Sequence, residues 1–121
     1  MIELLDGFPT GVLAYACRGR ITRADYESVV IPALEAALQD HETLRAYGEI
    51  GPDYAGIAPA AMWDDFKIGI EHWTRFERMA VVTDLRWVGD VIKVLRFLIP
   101  GEIRVFSTSR REEARAWIVA P

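Results

Sequence analysis

Two apolar runs open the chain, residues 1–5 and 11–19, and the Asp6-Gly7-Phe8-Pro9 turn between them predicts a hairpin. The second run is apolar on both faces, which places it centrally in its sheet. From Thr22 the period changes to that of a helix: Tyr26, Val29, Val30, Ala33, Leu34, Ala37 and Leu38 share a stripe that runs to about Asp40. Thr22 and Asp25 have the spacing of a capping box, with Asp in place of the usual Glu or Gln. Pro32 lies inside this helix, where it deletes the hydrogen bond to the Ser28 carbonyl and predicts a bend or local loosening.

Residues 43–50 read as a third strand, and residues 51–59 form the longest stretch without a period, the main loop. Pro59 or Ala60 then opens a second helix, whose Met62, Trp63, Phe66, Gly69, Ile70, Trp73 and Phe76 share a face while Asp64, Lys67, Glu71 and Arg75 point away. A short fourth strand covers residues 79–83. A third helix follows from Asp84, with Thr83 and Asp84 as its caps, and extends to Pro100. Residues 102–106 form a fifth strand, and Ser109 with Glu112 has the S-x-x-E spacing that caps a last helix. The order β-β-α-β-α-β-α-β-α predicts an α/β fold: a single-layer mixed, largely parallel sheet of four to five strands with about four helices. The length suits one domain spanning residues 1–121.

The third helix carries more apolar surface than one core-facing stripe requires. Leu85, Trp87, Val88, Val91, Ile92, Val94, Leu95, Leu98 and Ile99 fill about half the wheel, where a surface helix shows a stripe somewhat wider than about 100°. Leu85, Val88, Ile92, Leu95 and Ile99 suffice for the core. Trp87, Val91, Val94 and Leu98 form a second edge beside Arg86, Lys93 and Arg96, and Phe97 stands on the polar face. Together with Trp63, Phe66, Ile70 and Trp73 of the second helix, these residues are a candidate apolar binding surface. Tyr54 is the only hydroxyl in the loop that leads to it. A small apolar or lipid-like ligand, an anionic membrane surface and a second copy of the chain all fit this pattern.

Composition narrows the field. The net charge of −4 is spread without a basic stripe, which argues against a nucleic-acid partner. Cys17 is the only cysteine and sits in an apolar run, so it reads as core, with neither a disulfide nor a cysteine-rich zinc site available. A reducing, cytoplasmic setting is expected, with peripheral contact at the inner face of the membrane as a variant. No window approaches the length of a membrane-spanning helix and no leader pattern is present.

Catalytic machinery is sparse. His72 and Asp65 lie seven residues apart, which suits a proton-transfer pair or two metal ligands, and Glu71 is adjacent. A solvated helix face explains the same residues. His41 falls at a helix end, where a cation favours the dipole. No nucleophile elbow or phosphate-cradling loop exists, although the start of the second helix offers free N–H groups to an anionic headgroup. No catalytic residue, metal or cofactor is expected.

Several segments in order and spacing carry a family resemblance. They are Gly19-Arg20-Ile21-Thr22-Arg23-Ala24-Asp25-Tyr26, Ile31-Pro32-Ala33-Leu34-Glu35, Arg78-Met79-Ala80-Val81-Val82-Thr83-Asp84 with Trp87, and Glu102-Ile103-Arg104-Val105-Phe106 with Glu113-Ala114 and Trp117. In these the chain resembles the SpoIIAA-like branch of the STAS domains. The resemblance implies a four- to five-stranded sheet packed by helices. It also implies action by binding, as in anti-sigma-factor antagonists that a kinase switches off at a serine opening the second helix. This sequence departs from that pattern, because no Ser or Thr lies between Thr43 and Thr74. Among the most similar bacterial members, the resemblance implies ligand binding or membrane association between mobile second and third helices. The expectation is therefore a non-catalytic binding module for an apolar or lipid-like ligand or a membrane surface. The alternative is a protein-interaction or self-association domain using the third helix.

Overall fold

The computed structural model describes residues 1–57, 73–97 and 101–121. Strand β1 (Ile2–Leu4) turns back antiparallel onto β2 (Val12–Cys17), with Gly7 at φ +89°, a conformation that L side chains resist. After β3 (Arg20–Ile21) comes α1, residues 23–40, in three segments: α-helix Arg23–Asp25, π-helix Tyr26–Val30 and α-helix Ile31–Asp40. The expected capping box is present, the Thr22 hydroxyl accepting from the Asp25 N–H at 3.3 Å and Asp25 Oδ2 accepting from the Thr22 N–H at 2.8 Å. The loosening predicted at Pro32 takes the form of the π segment just before it. There the Ile31 N–H reaches the Tyr26 carbonyl, and the Ser28 hydroxyl donates to the Ala24 carbonyl at 2.6 Å.

Strands β4 (Leu44–Ile50), β5 (Gly56–Ile57) and β6 (Phe76–Thr83), helix α2 (Arg86–Leu95), strand β7 (Glu102–Phe106) and helix α3 (Arg111–Val119) complete the described chain. The main sheet runs β1-β2-β4-β6-β7, parallel at every pair except β1–β2. β2 has a neighbour on each side, as its two-sided apolar run requires. A separate parallel pair, β3 with β5, was not anticipated, because two residues per strand leave no readable period.

Alternation along the strands sends side chains to two faces. On one face Leu34 of α1 packs with Leu44, Ala46 and Phe76. On the other, Ala114 and Ile118 of α3 pack with Ala14, Tyr47, Ala80, Val82 and Phe106. Fully buried aliphatic side chains such as Leu44 and Ile118 each contribute about 1.5–3 kcal/mol of transfer free energy.

Four boundary expectations are corrected. Residues 58–72 of the expected second helix lie outside the described residues; Trp73–Arg75 form a 3₁₀ turn, and Phe76 is the first residue of β6, buried against Leu34 and Leu44. Phe76 fits a helical spacing after Trp73, but its pairing opposite Leu44 decides the matter. The fourth strand is accordingly three residues longer than expected. The third helix begins at Arg86 rather than Asp84: the Thr83 hydroxyl accepts from the Leu85 N–H at 3.1 Å, while Asp84 Oδ1 accepts instead from the Thr108 N–H at 2.8 Å. That helix ends at Leu95 and a turn follows, with residues 98–100 outside the described residues. Finally, Ser109 does not cap α3. A 3₁₀ turn, Thr108–Arg110, precedes the helix, the Ser109 hydroxyl meets that of Ser107 at 3.1 Å, and Asp84 supplies the carboxylate at the turn.

Candidate functional site

Helix α2 divides its apolar residues as the wheel predicts. Val88 is buried and Leu85 and Ile92 are half-buried, whereas Trp87, Val91 and Val94 are 49%, 48% and 69% exposed. These three recur at spacings of four and three and form one row. Phe97, in the turn after the helix, extends the apolar surface at 89% exposure. Arg86, Lys93 and Arg96 are exposed on the same short segment, against the single acid Asp90.

Tyr54 comes to this row from the loop after β4. Its ring stacks on the Trp87 indole with centroids 5.6 Å apart and planes 15° from parallel, an arrangement that orients the tryptophan on the surface. Of the other expected members, Trp63, Phe66, Ile70 and Leu98 lie outside the described residues, as do Asp65, Glu71 and His72; Trp73 opens the 3₁₀ turn before β6. His41 ends α1, and its ring packs over Gly11. Cys17 is buried in a cluster with Ile2, Ile21 and Tyr26, the core position expected of it.

A polar site was not legible in the sequence. At the carboxyl ends of β2 and β4 a cleft of about 330 Å³ is walled by Arg18, Asp53, Thr108 and Arg111 over Ala16 and Val82. The carboxyl edge of parallel strands is where open α/β sheets commonly hold ligands. The two walls are tied together, since the Gly51 N–H donates to the Cys17 carbonyl at 3.4 Å and the Ala55 N–H to the Gly19 carbonyl at 2.8 Å. Below the rim Glu49 is well partnered: Arg111 Nε lies 3.1 Å away, Arg115 Nη2 3.6 Å away, and the Tyr47 hydroxyl donates to it at 3.1 Å. Burial pushes the Tyr47 phenol above its ordinary value, with Arg115 beside it pulling the other way. The one sequence signal for this cluster is Arg45-x-Tyr47-x-Glu49, polar groups every second residue in an otherwise apolar strand.

Among the described residues no group of three or more His, Cys, Asp or Glu side chains is placed to hold a metal ion. No helix of the described residues is long and apolar enough to cross a membrane.

Comparison with known proteins agrees with this architecture. A crystal structure of an uncharacterized protein from Shewanella loihica PV-4, of the DUF3478 family and with a SpoIIAA-like fold, superposes with a TM-score of 0.80. The two are 28% identical over 97% of this chain and 93% of that one. No curated protein matches the chain. The SpoIIAA-like family model matches residues 12–119, from the first residue of β2 to the last of α3, and the chain belongs to the SpoIIAA-like family.

Proposed function

We propose that this protein is a non-catalytic binding module that docks through the exposed edge of α2 onto an anionic lipid surface or a lipid-like ligand. SpoIIAA-like domains are generally non-catalytic binding modules, which is the general frame for this reading. The observation that carries it is the apolar row Trp87, Val91 and Val94 standing in solvent beside Arg86, Lys93 and Arg96. Three cations against one acid on this segment oppose the −4 of the whole chain, so the row presents local positive charge on an acidic protein. Apolar side chains flanked by cations suit the boundary between headgroups and acyl chains. Each cation near an anionic bilayer contributes about 1 kcal/mol, so binding is salt-sensitive and reversible. The protein would then sit peripherally at the inner face of the membrane.

The test is co-sedimentation with vesicles containing phosphatidylglycerol, with pure phosphatidylcholine vesicles as the control. Wild type binds the anionic vesicles. Trp87→Glu and Val94→Glu do not, and the second leaves the Tyr54 stack in place. Unchanged binding by both variants overturns the reading.

A second reading, a self-association or partner interface through α2, is favoured by the Tyr54–Trp87 stack, because pre-oriented tryptophans are typical interface anchors. It predicts a concentration-dependent dimer in sedimentation velocity that Trp87→Glu dissociates.

A further inference from the structure

We propose that the cleft at the carboxyl ends of β2 and β4 is a second, separate binding site, and that it takes a small zwitterion of the free amino-acid type. Charges of both signs stand at its rim with capacity to spare, two arginines and one aspartate. Among the described residues the Arg18 side chain is held only by a loose 3.8 Å contact with Glu3, both side chains being more than half exposed. Arg111 directs its Nε to Glu49, and its terminal nitrogens make no hydrogen bond among the described residues. Asp53, lining the same cleft, has no ion pair or hydrogen bond among the described residues, and its Oδ1 lies 3.1 Å from where a Cβ on Gly51 would stand. Glycine at position 51 thus leaves the space in which the carboxylate rests.

The other acid of the cleft, Glu49, is engaged by two arginines and the Tyr47 hydroxyl, so it does not compete for a ligand's ammonium group. What remains is a pair of guanidinium groups for a carboxylate, a single carboxylate for an ammonium, and Ala16 with Val82 for the carbon atoms between them. A simple anion would leave Asp53 facing it unpaired, and a simple cation would face Arg18 and Arg111. A molecule carrying both charges satisfies the whole rim. The volume of about 330 Å³ accommodates an amino acid with a branched aliphatic side chain. The cross-loop hydrogen bonds Gly51 to Cys17 and Ala55 to Gly19 tie together the two backbone segments that carry Arg18 and Asp53, which lowers the ordering cost of binding between them.

The experiment is an NMR titration of the ¹⁵N-labelled full chain with L-leucine, isocaproate (leucine without its amine) and isoamylamine (leucine without its carboxylate). Saturable shifts at the amides of Arg18, Asp53 and Thr108 with L-leucine, in the range of about 1 mM, support the site, provided both one-charge analogues bind at least about tenfold more weakly. Arg18→Gln and Asp53→Asn should each weaken L-leucine about tenfold while the remaining amide spectrum keeps its dispersion. Equal shifts with isocaproate and L-leucine, untouched by Asp53→Asn, would reduce the cleft to an anion site and overturn the proposal. The absence of saturable shifts with L-leucine overturns it outright. Neither outcome bears on vesicle binding, which is read on α2.

Discussion

Tyr54 lies flat against Trp87, with ring centroids 5.6 Å apart and planes inclined by only 15°. Through this contact the two candidate sites meet: residues 51–53 line the cleft, Tyr54 follows them directly, and Trp87 begins the apolar row of α2. Aromatic pairs of this kind contribute about 0.5–1.5 kcal/mol beyond the area they bury.

A double-mutant cycle with Tyr54→Ala and Trp87→Ala measures that coupling by urea denaturation. The expected interaction energy is about 1 kcal/mol, at the centre of the range for neighbouring aromatic rings. Strict additivity of the two single substitutions would mean that the rings touch without stabilising one another.

Two arginines from adjacent strands close the end of α3. Arg45 donates through Nη1 to the carbonyls of Ile118, at 2.9 Å, and of Ala120, while its Nε pairs with Glu77 at 2.7 Å. Arg78 donates to the carbonyls of Trp117 at 3.0 Å, Ala120 at 2.8 Å and Pro121 at 3.2 Å, and also lies 5.5 Å over the Trp117 ring. The final carbonyls of a helix have no partners within it, so these cations supply what the helix cannot. Arg45→Met or Arg78→Met should each cost about 2 kcal/mol, with faster hydrogen exchange confined first to α3. Because both side chains share the Ala120 carbonyl, the double variant should lose less than the sum.

Glycines at two positions should respond with opposite signs. A Cβ on Gly101 would overlap the Phe76 carbonyl oxygen and crowd the Glu77 backbone at 3.3 Å, so Gly101→Ala is expected to destabilise by about 1–3 kcal/mol. A Cβ on Gly89, in the middle of α2, meets no atom within 4 Å among the described residues. Gly89→Ala should therefore stabilise by about 0.5–1 kcal/mol through helix propensity. Thermal unfolding of the two variants beside wild type checks both.

Asp25 makes stability depend on acid. Its carboxyl is held below the ordinary 3.8 first by the Thr22 backbone N–H, with burial opposing this, and then by the Thr22 hydroxyl and the Met1 amino group 3.6 Å away. A lowered folded-state value means that the unfolded chain binds the proton more readily. The contribution is thus present above the unfolded value and lost as pH falls through the folded one. Chemical denaturation at a series of pH values should show wild type losing stability below about pH 4, with Asp25→Asn both less stable near neutrality and flatter across that limb.

Among the described residues, the five strands of the main sheet and the helices at residues 23–40, 86–95 and 111–119 were legible because they rest on short-range rules. The alternation of apolar runs with helical stripes, the Gly7 turn, the Thr22–Asp25 cap and the disturbance near Pro32 all follow from residues within a few positions of one another. The division of α2 into a buried side at Val88 and an exposed row at Trp87, Val91 and Val94 follows from the wheel alone. Expectations failed where a distant partner outbid a local one. Asp84 could cap the helix beside it but accepts from Thr108, and Phe76 could extend a helical stripe but pairs opposite Leu44.

By itself, then, the sequence determined the α/β alternation, the family resemblance and the surplus apolar edge of one helix, since each is a property of spacing along one segment. Only the tertiary structure decided that Tyr54 rests on Trp87 and that two arginines hold the end of α3. It likewise decided that Arg18, Asp53 and Arg111 face a common cleft. Those residues come from segments far apart in the chain, and no local period encodes which strand ends will lie side by side once β2, β4 and β6 pair in register.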